Sequence, residues 1–368
     1  MISFVLLSIL LTFLIYVFFK YQFQYFKRLN IFYIKPYFPF GNLNEFYVNR
    51  RCIIHLFDKW FKETEKYNLK AFGVFNLFQP FLVLKDLDLV KQVLIKDFSS
   101  FHDRGWRLDL NFEPLAGNLF ILEGEKWRSI KNKLSPIFTR NKVKTMFDVF
   151  KERSHQLIHF LEDKTESEID FHDLFERFLT DVIASCAFGI KCNSINDPNN
   201  EFHQMGKKLI EPTIKQFILE SLDILSLRIR GYLGLRFFNH EVEVNFTQIV
   251  KDVIEFREKN NVSINDFLEL MIKIRTKSKN SCGNKESISI LECAAHSLGF
   301  FFSGFQVSSS LITFAIYELA MNPEIQKRAQ LEIDEIYEDS GWLTYECLNE
   351  MKYLDLILKG IKKLNKGR

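Results

Sequence analysis

The sequence predicts a mainly α-helical protein with a small N-terminal β-sheet, preceded by one transmembrane helix. Three observations carry this. Residues 1–19 contain no charge. Two short apolar runs flank Gln79-Pro80 with the composition of strands. The stretch from Ser289 to Met321 reads as one long, greasy helix.

Met1–Phe19 is followed by Lys20, Lys27 and Arg28. Its length just spans a bilayer core. It lacks the basic leading region and small-residue cleavage site of a removable signal, so it reads as a retained anchor. Basic residues after the span, and none before it, place the body on the cytosolic side. A buried soluble helix is the alternative. Residues 20–41 form a basic, proline-containing hinge, in which Pro36, Pro39 and Gly41 of KPYFPFGN stiffen a short linker. The body, 42–368, is one large domain or two on length alone. No Gly/Ser linker, low-complexity tract or repeat divides it.

Within the body, Ala71–Leu84 predicts two strands around a turn near Gln79-Pro80, and a helix follows from Asp86 to about Ile95. Phe101–Leu119 lacks periodicity and reads as loop. The stretch Gly124–Phe147 holds a basic amphipathic helix carrying Trp127, and further helical runs fall at Lys142–Phe160 and Phe171–Phe188. Residues 200–245 are helical but irregular, and Asn265–Arg275 leads by a polar loop to the long helix. Ser289 with Glu292 forms a capping box there, and Asn322-Pro323 stops the run. Phe300, Phe301, Phe302, Phe305, Leu311 and Phe314 make most of its circumference apolar. Gly299, Ser303, Gln306 and Ser310 share one side, which is either a close helix–helix contact or the wall of a buried cavity. Two more helices follow, the last over Glu350–Leu364, before the polar tail NKGR.

Composition narrows the function classes. Apolar residues make up 47% of the chain, ample for a substantial core, and a net charge of +3 does not suggest nucleic acid. Forty phenylalanines point either to a greasy pocket or to biased codon usage. Six cysteines, at 52, 186, 192, 282, 293 and 347, show no zinc spacing. On the cytosolic side they stay reduced, and the sequons at Asn245 and Asn261 go unused. No phosphate-binding, dinucleotide-binding, zinc-protease or nucleophile-elbow motif is present. His296 has Phe300 at i+4 and so no ligand partner on its helix; it reads as structural.

FFSGFQVSSS, Phe301–Ser310, resembles the distal oxygen-binding helix of cytochrome P-450 monooxygenases of the microsomal, insect-type branch. In that family's small-Gly-x-acid-Thr pattern, Ser303 and Gly304 match the small pair, while Gln306 replaces the acid and Val307 the threonine. GEKWRSIKNKL resembles the Trp-x-x-x-Arg helix that reaches the haem propionates, with Trp127 present and Lys131 in place of arginine. LTDVIASCAFGIKCNS, Leu179–Ser194, is also similar, with Cys186 on its apolar face as a core residue. Glu350–Leu364 resembles the Glu-x-x-Arg helix, with Gly360 and Lys363 at those two positions. The hinge resembles the family's proline-rich segment loosely.

The resemblance implies the family's fold, a haem (heme) cofactor, and NADPH- and oxygen-dependent oxidation of a small lipophilic substrate. It also implies NADPH–cytochrome P-450 reductase as electron donor and the endoplasmic reticulum membrane as location. It covers only the N-terminal part of the family's length, without the loop whose cysteine thiolate holds the iron, so no axial metal ligand is assigned. The expectation is therefore a truncated or degenerate copy, inactive as written. The alternative is a non-catalytic, membrane-anchored protein that binds an apolar ligand or a partner.

Overall fold

The computed structural model describes residues 2–49, 52–105, 108–164, 168–210, 236, 238–280, 288–340 and 343–364. The chain forms two compact units, one over Met1–His102 and one over Asp103–Asn365.

The first unit begins with helix α1, Ile2–Gln22, about 31 Å long at ~1.5 Å per residue. From Ser3 onward it is long and apolar enough to cross a membrane, and its side chains are exposed to Phe18. The helix runs three residues past the expected end at Phe19. Its last turns are held by edge-to-face aromatic pairs: Phe19 stands 5.1 Å from Phe38 and 5.6 Å from Phe78, and Phe23 stands 5.3 Å from Phe75. Residues 20–41 are hydrogen-bonded into the unit. Ile34 N–H donates to Gly73 O (2.9 Å), and Gly73 N–H donates to Phe32 O (2.8 Å).

Two short helices, α2 (Asn44–Asn49) and α3 (Ile53–Glu65), precede the hairpin of β1 (Ala71–Asn76) and β2 (Gln79–Leu84). Leu56 and Trp60 of α3 pack with Phe72 and Val74 of β1 in a small core. The predicted turn moves two residues earlier, to Leu77-Phe78, with Pro80 inside β2 opposite Phe75. The reason is local. Phe75 turns its N–H and C=O away from Pro80, to Asn42 Oδ1 and Asn42 N–H, each at 2.7 Å. A proline in a pair that exchanges no ladder bond loses nothing by lacking an N–H. Asn42 is buried and spends its amide on Ile34 O and Lys35 O. The preceding Gly41, at φ +66°, has room only for hydrogen: a Cβ there would stand 2.3 Å from Phe75 O. Asp86 then caps α4 (Leu87–Lys91), which continues as a wide turn over Gln92–Lys96.

The second unit is helical. Its opening loop contains one short turn, Pro114–Ala116, and leads to α5, Gly124–Leu134. The helix expected over 142–160 breaks at Met146, whose N–H bonds three residues back to Val143 O. A short helix, Arg140–Thr145, precedes α6, Phe147–Glu162. Then come α7 (Phe171–Phe188), α8 (Glu201–Ile210), α9 (His240–Asn260) and α10 (Phe267–Asn280). The long helix α11 covers Ile290–Met321, about 48 Å at ~1.5 Å per residue. Both bonds of the Ser289–Glu292 capping box are made, and the helix ends before Asn322. It is followed by α12 (Pro323–Ser340) and α13 (Lys352–Leu364). Most of the irregular run expected over 200–245, together with Cys282 and the NKGR tail, lies outside the described residues.

Helix α7 is buried along nearly its whole length, and α11 lies against it. Phe188, Phe202, Phe246, Phe301 and Phe305 form a continuous ring cluster with centroids 4.9–6.2 Å apart. Three of these pairs are edge-to-face and Phe301–Phe305 is stacked, and such contacts add to the burial of their area. Polar anchors cross this core. Asp181 is fully buried and accepts from Ser194 N–H (2.8 Å) and Ile195 N–H (3.2 Å). Arg257, also buried, donates to both carboxylate oxygens of Asp266 (2.9 and 2.5 Å) and to Phe188 O (2.8 Å).

That last pair makes a direct test. Arg257→Met leaves Asp266 charged and unpaired in the core, a change that typically costs about 3–5 kcal/mol. The double variant Arg257→Met/Asp266→Leu should recover most of the loss. Denaturant unfolding of both single variants and the double, followed by tryptophan fluorescence, checks the non-additivity.

Candidate functional site

The site predicted from sequence lies on α11 and α5, both in the second unit. The cylinder of α11 is unevenly covered. Phe301 and Phe305 are buried in the ring cluster, whereas Phe302 and Phe314, expected in the core, are 39% and 38% exposed. The physical reason is angular. Ser303, Val307 and Phe314 fall at i, i+4 and i+11, on a stripe turned away from the ring cluster, and all three are exposed. Val307 is 66% exposed.

The four predicted positions on this helix therefore separate. Ser303 and Val307 share the open stripe. The Ser303 hydroxyl donates to Gly299 O at 2.7 Å, inside its own helix. Gly304 points elsewhere, since a Cβ there would stand 2.8 Å from Ile183 Cδ1 on α7. Gln306 is half-buried. Gly299, aligned with Ser303 in the sequence, is a contact residue: a Cβ would meet Asn118 Cβ at 3.1 Å. The small-residue side of the helix is thus part packing contact and part open wall.

On α5, Trp127 is buried and Lys131 is exposed one turn later. The Lys131 ammonium lies 4.7 Å from the Trp127 ring centroid, a cation–π pair. Arg128, on another face, pairs with Glu125 at 3.2 Å. Ile130 and Leu134 of the same helix enter the core cluster that holds Leu298 and Phe301 of α11. On α13, a Cβ at Gly360 would meet no atom within 4 Å. The side chain of Lys363 lies outside the described residues.

These residues fit part of a haem site. The stripe on α11 offers an apolar wall with small polar groups, and Lys131 offers a point charge to a carboxylate. The thiolate does not fit. Burial pushes the Cys186 thiol up to about 11, and those of Cys192 and Cys293 to about 12. All three are core thiols, protonated at any physiological pH, whereas a metal ligand must be a thiolate. Cys347 is buried with its Sγ 3.0 Å from Thr344 Oγ1, and Cys52 belongs to the first unit. As buried, protonated thiols, Cys186, Cys192 and Cys293 are unsuited to the role of axial ligand.

One buried titratable group carried no sequence signal. His203 on α8 is fully buried, 3.3 Å from Thr180 Oγ1, with its ring 6.2 Å from that of Phe305 on α11. Its neighbours Phe202 and Met205 made it look like any residue on an apolar helix face. Burial, then the Lys207 cation, push it down to about 4; burial alone does the same to His296.

Fold and stripe together define a helical domain built around one central helix with an open face, led by a helix able to cross a membrane. A sequence profile of the cytochrome P-450 family matches residues 35–361. Cytochrome P-450 6A1 of Musca domestica is 37% identical over 356 residues, covering 93% of this chain and 67% of that protein. Cytochrome P-450 6j1 of Blattella germanica is 31% identical over 348 residues, 94% of this chain and 68% of that one. The probable cytochrome P-450 6a14 of Drosophila melanogaster is 36% identical over 300 residues, 78% of this chain and 59% of that one. This chain belongs to the cytochrome P-450 family, and it spans about three-fifths to two-thirds of the relatives' length.

Two outcomes follow from the titratable groups. Alkylation of the native protein at mildly alkaline pH should label Cys52 and spare Cys186, Cys192 and Cys293, as read by peptide mass mapping. Acid should destabilise the fold through the histidines. Both bind protons near 6.5 when unfolded but only near 4 when folded, so stability is complete above about pH 6.5 and is lost as pH falls toward 4. Each contributes on the order of 3 kcal/mol to that loss. His296→Phe should flatten the pH dependence of the unfolding midpoint by about half.

Proposed function

We propose that this chain supplies the membrane anchor, the distal wall and the propionate-side helix of a membrane-bound haem monooxygenase of lipophilic compounds. We further propose that residues 1–368 do not activate oxygen by themselves. The observation that carries the first statement is the open stripe of Ser303, Val307 and Phe314 on a helix whose opposite side, with Phe301 and Phe305, is packed into a core. A bound haem would supply the oxidative chemistry, and Trp127 and Lys131 would hold its carboxylate edge. Membership of the family supports reductase-delivered electrons, and α1 with its flanking cations supports a cytosolic body on the endoplasmic reticulum membrane.

The second statement rests on chemistry missing from named positions. Gln306 can donate and accept hydrogen bonds but cannot cycle a proton, and Val307 keeps the branched shape of threonine without its hydroxyl. The thiols of Cys186, Cys192 and Cys293 are held protonated in the core. The same residues favour a second reading, a non-catalytic membrane-anchored protein that holds an apolar ligand against the stripe.

The experiment is expression of residues 1–368 with haem supplied, followed by the reduced carbon-monoxide difference spectrum. The expected result is no band characteristic of thiolate ligation and no NADPH-dependent oxidation with reductase added. A clear thiolate band would overturn the second statement.

A further inference from the structure

We propose that the first unit carries a binding site for the anionic headgroup of a phospholipid, at the level where α1 leaves the membrane. The inference rests on the reading of α1 as a membrane anchor and goes beyond it by assigning a lipid class and the residues that select it.

Charge is the first observation. Four of the chain's 49 basic residues, Lys20, Lys27, Arg28 and Lys35, and none of its 46 acidic ones, fall in the first 44 positions. Residues 126–147 are also basic without an acidic residue, but this segment is the one that adjoins a helix able to cross a membrane. Geometry is the second. The stretch after α1 folds back beside the helix end and encloses a cleft of about 290 Å³. Its walls include Tyr16, Phe19, Phe23 and Tyr33, and its rim carries Lys20 and Lys35. Both lysines are exposed, and neither has an ion pair with a described carboxylate. Amphipathic rings at the boundary of hydrocarbon and water, with cations just outside, are the composition that suits a headgroup above and acyl carbons below.

The cleft separates these two lysines from the other cations. Lys27 does not line it, and the Arg28 guanidinium lies over the Tyr21 ring at 4.2 Å, outside the cleft. Diffuse attraction to an anionic surface would use all four cations alike. A site would weigh Lys20 and Lys35 above Lys27, so a comparison of single lysine variants decides between them. Both lysines line the cleft. The phosphate is common to the two lipids, so the selection lies in net charge, since the serine headgroup adds a carboxylate for the second ammonium and the choline headgroup adds none.

The test uses the full chain reconstituted in phosphatidylcholine vesicles that contain a minor fraction of spin-labelled phosphatidylserine. The readout is the share of labelled lipid immobilised by the protein. Lys20→Gln and Lys35→Gln should each lower the relative association of phosphatidylserine about fivefold, the equivalent of one surface lysine, and the double variant more than tenfold. Lys27→Gln should change it less than twofold. Flotation on pure phosphatidylcholine should be the same for all variants, since the apolar helix alone drives it; failure there would refute the anchor and not the site. Soluble glycerophosphoserine or inorganic phosphate should not displace the lipid, because the acyl carbons are part of the fit. Equal losses at Lys20, Lys27 and Lys35 would overturn the proposal in favour of surface charge alone. No preference for phosphatidylserine over spin-labelled phosphatidylcholine would overturn it outright.

Discussion

The second unit depends on how closely α11 can lie against α7, and that approach is set at Gly304. A side chain there would begin 2.8 Å from Ile183 Cδ1, inside van der Waals contact. Because position 304 has none, the two helices meet along a tight seam, and Phe301 and Phe305 are carried into the ring cluster with Phe188, Phe202 and Phe246. Closely packed interiors transmit such constraints, since there is no free volume to absorb them. Once Gly304 faces α7, helical geometry leaves no choice about its neighbours. Ser303 and Val307 are turned to the open side, and Gln306 sits between. The packing contact and the open face are thus two consequences of one glycine.

Much of this was legible in the sequence because it is local. The capping box, the proline stop, the uncharged first run and the hairpin depend on residues a few positions apart. What failed was also local in appearance but set at a distance. Pro80 looked like a turn residue, yet Asn42, thirty-three positions from Phe75, takes that residue's backbone groups and makes a strand proline harmless. Phe302 and Phe314 looked like core because hydrophobicity alone does not say which side of a helix has a neighbour. Asp181, Arg257 and His203 gave no signal at all. A buried polar group is recognisable only through its partners, and theirs come from other helices or from the loops after α7 and before α10.

The candidate site was legible in kind and not in arrangement. Resemblance placed Ser303, Gly304, Gln306, Val307, Trp127 and Lys131 in one functional group, but physically they do three different things. Gly304 is a packing residue. Trp127 is a buried support on which the Lys131 cation rests, so the charge there is positioned by a ring as well as by its own helix. Ser303 and Val307 alone present atoms to an open face. A linear motif records the sum of these constraints and does not say which residue answers to which.

This division explains why the fold tolerates its own departures from the family pattern. Val307 is 66% exposed, and a Cβ at Gly360 would meet open space within 4 Å. Lys131 is exposed as well. None of these positions contributes to the apolar cluster that holds α5, α7, α9, α10 and α11 together. A substitution there changes an exposed surface and leaves the apolar cluster untouched. At Gly304 the reverse holds: any side chain would press on Ile183 whatever chemistry it brought. Stability constrains the residues that build the wall, and only chemistry constrains those that face outward from it. A chain can therefore keep the packed core of this helical unit while the residues on its open face change.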